Sequence, residues 1–318
     1  MKLLVAGELT DGGLARSLMP GIVASSDVAL VDLYGSTSSS IDNRSMAARA
    51  GRLVARRAAG KRLLEAVEQH RPDWVLLIKG RGIDTGIDRV RELGTRVACY
   101  YPDNPFWGIG DRAALSRLSQ CDLALVWSQR LVDELNARDI ASRVIPFGYD
   151  DRWYPLGDPA AERSGIVFLG TWSPRRERFL ATLNGLDVTI RGSGWERSTA
   201  IVGGGPVYQH QAGEMLRTAA IGINLLHPQC AGAHNMRTRE IAASGALQVC
   251  DPGIDGSPLR NDLECIWFTG PDDLRARVDA MLENAPLARS IAIAAQRAIA
   301  DDHYRARASQ IVAELEAA

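Results

Sequence analysis

No apolar run in the 318 residues approaches the roughly 20 that span a bilayer. The opening MKLLVAGELTDGG is too short in its apolar part to be a signal peptide, and it reads as a first strand. A basic surplus is also missing. Lys and Arg number 37 against 38 Asp and Glu, a net charge of −1, which excludes a general nucleic-acid binder. The five cysteines (Cys99, Cys121, Cys230, Cys250, Cys265) are odd in number, scattered and without a C-x-x-C pair. They indicate neither a disulfide framework nor a closely spaced zinc site, and they suit reduced thiols in a cytoplasmic protein. The loop after the first strand, GELTDGGL (7–14), is neither G-x-G-x-x-G nor G-x-x-x-x-G-K-[ST], which disfavours a nicotinamide dehydrogenase or a P-loop kinase.

What is present is an ordinary soluble composition, 46% hydrophobic and 24% charged. The length exceeds one small core, so two domains are expected. Apolar, β-rich runs at 2–7, 28–34, 74–79, 96–101, 123–128 and 143–147 alternate with helical patterns such as 44–70 and 130–138. Continuous apolar strands between helices predict a parallel sheet covered on both faces. The aperiodic stretch RWYPLGDPAAERSG (152–165) then marks a boundary between a domain over 1–150 and a second over 151–318. Beyond it, strands at 166–170, 187–192, 221–226, 247–250 and 265–268 alternate with helices near 174–184, 211–219 and 236–244, and helices close the chain across 272–316. The expected fold is α/β: two doubly wound, Rossmann-like domains facing across a cleft, with ligands beyond the carboxyl ends of the strands.

The stretch HNMRTREIAASGALQVCD (234–251) concentrates polar groups at a helix start and small residues at its end. Helix N–H groups, Asn235, His234 and Arg237 suit a phosphate, and Glu240 shares a face with Arg237 and suits ribose hydroxyls. The alternative is an Arg–Glu pair on a solvated helix face. Ala242, Ala243, Ser244 and Gly245 allow close packing and a left-handed cap. After the strand ending at Gly170, Arg175 and Arg176 reach any diphosphate bound nearby. Gly192 and Trp195, in IRGSGW (191–196), either leave room for a base or sugar ring or form a plain loop. In the first half, Asp11, Gly12 and Gly13 form either an anion-facing loop or a tight turn.

These residues resemble a known family. FLGTWSPRRERFL (168–180), IRGSGW (191–196), GGPVYQHQAGEMLRTAAIGINLL (204–226) and NMRTREIAASGALQVCD (235–251) are similar to the C-terminal domain of CgeB-like, spore-maturation glycosyltransferases of the GT-B class. The stretch 126–155 matches more loosely the end of the other domain and its linker. The resemblance implies a nucleoside-diphosphate sugar held mainly by the second domain and an acceptor held by the first. It places Glu240 on ribose and Arg176 and Arg237 on phosphate. Arg239 departs from the aromatic residue usual before that glutamate. No D-x-D occurs, in keeping with the metal independence usual in the class. No cofactor is expected, and no nucleic acid.

Asp103, in YYPDNPFW (100–107), follows a strand end and is the first candidate for a catalytic base or an acceptor-positioning group, against a plain Asp-Asn-Pro turn. Among the histidines, His210 and His234 lie in the stretches that would approach a donor. The basic run 44–64 is either a membrane-facing helix or a solvated face, and STSSS (36–40) a loop beside the acceptor. Two other readings stand beside glycosyl transfer: a nucleotide-sugar epimerase of the same architecture, and a non-catalytic sugar-nucleotide or glycan-binding protein.

Overall fold

A computed structural model describes residues 1–10, 13–34, 46–83, 86–108, 111–158, 161–230, 233–253 and 256–318, with backbone alone for 46–57 and 111. Asp11, Gly12 and the 36–40 loop lie outside the described residues. The chain divides into two compact units, Met1–Phe147 with Tyr304–Ala318, and Gly148–His303. Both are parallel-sheet α/β units.

The first unit runs β1 (Lys2–Gly7), α1 (Leu14–Ser25), β2 (Asp27–Asp32), α2 (Met46–His70), β3 (Trp74–Ile78), α3 (Ile87–Glu92), β4 (Arg96–Tyr100), α4 (Asp111–Gln120), β5 (Leu123–Val126), α5 (Gln129–Asn136) and β6 (Ser142–Val144). Its six strands are all parallel, in the order β2-β1-β3-β4-β5-β6. WVLLI in β3 and LALV in β5 are buried at every position, as strands covered on both faces must be. From residue 46 on, the basic run lies on α2. There Lys61 pairs with Glu65 at 3.5 Å, and Arg62 donates to the Leu33 carbonyl at 2.9 Å. Among the described residues, no helix is long and apolar enough to cross a membrane.

The second unit runs β7 (Ile166–Leu169), α6 (Pro174–Ala181), β8 (Val188–Arg191), α7 (Gln209–Thr218), β9 (Ile221–Asn224), α8 (Met236–Ser244), β10 (Leu247–Cys250), β11 (Ile266–Trp267), α9 (Pro271–Glu283) and α10 (Ala285–Ala298). Its five strands are parallel in the order β11-β10-β9-β7-β8. Helix α8 is buried from Thr238 to Ser244, which explains its small residues. The Gly157 N–H donates to the Ala243 carbonyl at 2.9 Å, and a Cβ on Gly157 would strike the Ser244 carbonyl. Gly245 ends the helix at φ 81°, the left-handed cap that glycine adopts without penalty. Arg239, the departure noted in the sequence, turns inward and donates to Asp302 at 2.7 Å.

One assignment is corrected. The last helix, α11 (Tyr304–Ala317), belongs to the first unit and not to the domain drawn over 151–318. Its apolar positions Tyr304, Ala308, Ile311 and Leu315 recur at helical spacing and complete the core with Leu18 and Ile22 of α1. Gly21 lets α1 lie against α11, because a Cβ there would collide with the Arg305 carbonyl. Gly21→Val is therefore expected to lower stability by about 1–3 kcal/mol through overpacking. Chemical unfolding of the variant checks this, and a transition superimposable on wild type contradicts the contact.

Candidate functional site

In the second sheet, the chain passes from β7 to β8 on one side and then returns to β9 on the other. Crossovers of opposite sense make the carboxyl ends of β7 and β9 the switch point of this sheet, the usual ligand position in such folds. Arg176 spans it. Its Nη1 donates to the Thr171 carbonyl at 2.7 Å, just past β7, and its Nη2 to the Leu225 carbonyl at 2.8 Å, just past β9. Ser173 caps α6 by accepting from the Arg176 N–H at 3.3 Å, which fixes the root of the side chain. Among the described residues, no carboxylate pairs with this guanidinium. Burial depresses its pKa below the ordinary arginine range, so its charge is under-compensated.

Arg175 has a different task. It forms a two-pronged pair with Asp251, at 3.0 and 2.5 Å, and Asp251 also accepts from the Leu226 N–H at 2.7 Å. The Arg175–Asp251 pair thus joins α6 to the ends of β9 and β10. Gly170 and Gly192 face each other across neighbouring strand ends, and a Cβ on Gly192 would run into the Gly170 carbonyl. Trp195 is 2% exposed, and its indole N–H donates to that same carbonyl at 2.9 Å. Gly192 and Trp195 therefore shape the loop from beneath, and the exposed aromatic of this region is the half-buried Trp172. Its indole N–H donates to Glu177 at 2.7 Å. Glu177 also accepts from the Ser198 hydroxyl at 2.7 Å, and these bonds, Ser198 first, hold its carboxyl below the usual range.

At the start of α8, Arg237 and Glu240 approach to 2.6 Å. Burial opposes charge on Arg237, but Glu240 and the Tyr154 hydroxyl outweigh it and hold the guanidinium pKa above its ordinary value. Burial raises Glu240 in turn, while Arg237 pulls it down. Tyr154 is pushed up to about 12 by burial and by the Glu240 charge. The two residues expected on phosphate and ribose therefore neutralise each other within one buried group. Asn235 accepts from the Asn224 carboxamide at 3.2 Å, and Asn224 also donates to Thr238 at 3.0 Å. The Thr238 hydroxyl completes the network with His234 Nδ1 at 3.0 Å. His210, by contrast, is exposed on α7.

In the first unit, Asp103 lies past β4 and is gripped by Lys79 Nζ at 2.8 Å and Arg81 Nη2 at 3.2 Å. Gly13 caps α1 and gives its N–H to the Thr10 carbonyl at 2.8 Å. Sequence reasoning missed Asn224, Asp251, Tyr154 and the Lys79–Arg81 pair. Asn224 was detectable as a polar residue closing an apolar strand. Asp251 and Lys79 directly follow strands, as Asp103 and Arg176 follow strand ends.

His234 supplies a pH signature. Burial first, and the Arg239 charge second, pull its pKa down to about 4, so the folded ring is neutral. The unfolded chain takes up this proton near pH 6.5 and the folded chain only near 4. Stability is therefore lost as pH falls through that window, by about 2 kcal/mol between pH 7 and pH 5. Urea unfolding at both pH values is expected to show this loss in wild type and not in His234→Gln. Equal losses in the two proteins contradict the buried neutral ring.

Residues 175–313 match the family described as glycosyl transferase-like. No curated protein matches the sequence. Among solved structures, sucrose-phosphate synthase from Thermosynechococcus elongatus superposes with a TM-score of 0.70 at 11% identity, over 99% of this chain and 98% of the other. Anabaena Alr3699/HepE in complex with UDP-glucose does so with a TM-score of 0.68 at 12% identity, over 100% and 99%. T4 phage BGT in complex with its UDP-glucose substrate gives 0.61 at 12% identity, over 99% and 98%. The chain is thus glycosyltransferase-like in sequence across most of its second unit, and GT-B-like in fold over its whole length.

Proposed function

We propose that the protein is a metal-independent GT-B glycosyltransferase of the CgeB-like type, moving a sugar from a nucleoside-diphosphate donor in the cytoplasm. The observation that carries this reading is Arg176, an under-compensated guanidinium fixed across the switch point of the second sheet. A diphosphate there supplies the missing negative charge. The UDP-glucose bound by HepE and by T4 phage BGT supports a nucleotide sugar as that ligand and makes uridine the first base to test.

In this reading the donor diphosphate lies against Arg176, with Arg237, Asn235 and His234 at the start of α8 beside it. Glu240 turns from Arg237 to the ribose hydroxyls. Gly170, Gly192 and Trp195 support from beneath the loop that borders the nucleotide. When the glycosidic bond breaks, charge grows on the leaving phosphate, and a guanidinium already held by two carbonyls stabilises it without reorganising. The arginines take the place of a divalent ion. Asp103 already accepts from Lys79 and Arg81, so we assign it to positioning the acceptor, which the first unit binds. The basic helix α2 is the surface we assign to peripheral membrane contact.

Arg176→Gln removes a charged donor from phosphate and is expected to lower kcat/KM for UDP-glucose by roughly 10–100-fold. UDP release, assayed in EDTA with a panel of acceptors, checks this. Release that depends on acceptor and survives EDTA supports the proposal. An isomerised nucleotide sugar formed from donor alone indicates an epimerase instead. Nucleotide binding without turnover on any acceptor indicates a binding protein.

A further inference from the structure

We infer that Lys79, Arg81 and Asp103 form an oxyanion site on the first unit, and that it receives the phosphate or carboxylate group of an acidic sugar acceptor. Three independent features converge there. The first is topology: β1 sits between β2 and β3, so the strand order reverses between β1 and β3. Their carboxyl ends are the switch point of this sheet, as β7 and β9 are in the other. Gly7 brings the two ends together, since a Cβ there would lie 3.0 Å from the Ile78 Cβ.

The second feature is the backbone. The chain leaves β3 through Lys79-Gly80-Arg81-Gly82, with φ of 68°, 58° and 82° at Lys79, Gly80 and Gly82. Glycine takes these values freely, but lysine in the left-handed region costs on the order of 1 kcal/mol or more. This turn sends the Lys79 ammonium to Asp103 at 2.8 Å. The Lys79 N–H is anchored on the Tyr100 carbonyl at 3.0 Å, and the Arg81 carbonyl accepts from the Tyr34 hydroxyl at 3.0 Å, so both cations stand on a fixed loop.

The third is charge. Lys79 and Arg81 converge on one oxygen of Asp103, and buried Arg117 of α4 donates to the Lys79 carbonyl at 3.2 Å. Two cations thus share one carboxylate oxygen, while Arg117 steadies the loop that carries Lys79. Lysine has three donors and arginine five, and Asp103 takes one from each. The side chains of Lys79 and Arg81 are 36% and 48% exposed, within reach of a ligand. A neutral sugar hydroxyl needs no such excess. An oxyanion balances it, with Asp103 holding the two cations in place. The site stands on the first unit alone, whereas naming its ligand as the acceptor rests on the glycosyl-transfer reading above.

The test is calorimetry at low salt with glucose 6-phosphate, glucuronate and glucose, each in saturating UDP so that the second unit's site is filled. One or both acidic sugars are expected to bind and glucose not, and which one binds identifies phosphate or carboxylate. Lys79→Met and Arg81→Gln should each weaken that affinity by about tenfold or more, while Asp103→Asn, which frees both cations, should tighten it. A circular-dichroism spectrum and a melting profile matching wild type in all three variants show that both units are folded. Binding of glucose equal to that of the acidic sugars, or full affinity in both cation variants, overturns the inference. So does UDP binding without any acidic-sugar binding, which leaves the donor reading intact. Variant-sensitive binding of an acidic sugar by a protein that ignores UDP keeps the oxyanion site and removes the acceptor assignment.

Discussion

An all-parallel sheet buried on both faces leaves polar chemistry nowhere to go but its ends. WVLLI in β3 and IGIN in β9 are buried throughout, so the groups that meet ligand must emerge from the loops that follow. Both units obey this constraint. Each sheet reverses strand order once, and each carries cations at that reversal: Arg176 between β7 and β9, Lys79 and Arg81 beside β1 and β3. The two cation sites differ in how they are compensated. Arg176 rests on two carbonyls and over the Phe168 ring, whereas Lys79 and Arg81 share a carboxylate.

The scaffold around Arg176 is built to keep it there. Arg175–Asp251 locks α6 to the neighbouring strand ends, and Trp195 holds the Gly170 carbonyl. A pair of this kind, part-buried with its arginine open to solvent, adds little net stability, because screening and desolvation offset the attraction. Arg237–Glu240 is a second, more deeply buried pair, and its two members are those a nucleotide would pull apart.

Much of the fold was legible in the sequence, because apolar strands and helical periodicity are local. Helix α8 begins at Met236 and ends at Ser244, where its small residues and Gly245 indicated. The allegiance of α11 was not legible: its stripe of Tyr304, Ala308, Ile311 and Leu315 announces a buried face but not which core it enters. At the site, Arg176 could be picked out because it closely follows a strand. That Arg175 beside it belongs to Asp251 could not, since the partner lies 76 residues away. Gly192 read as space for a ring, but its missing Cβ makes room for the Gly170 carbonyl. The Lys79–Gly80–Arg81 loop was overlooked because its meaning lies in backbone angles and strand order, which no short motif encodes.

The most direct measurement of the central claim is a melting panel in EDTA with UDP, GDP, dTDP, CDP and NAD, on wild type and Arg176→Gln. At about 100 times its Kd, a ligand stabilises the folded state by roughly 2.7 kcal/mol. The account predicts that at least one nucleoside diphosphate raises the wild-type melting temperature, that NAD does not, and that Arg176→Gln loses the shift. A wild-type protein indifferent to every nucleoside diphosphate, or a shift that survives loss of Arg176, would contradict it.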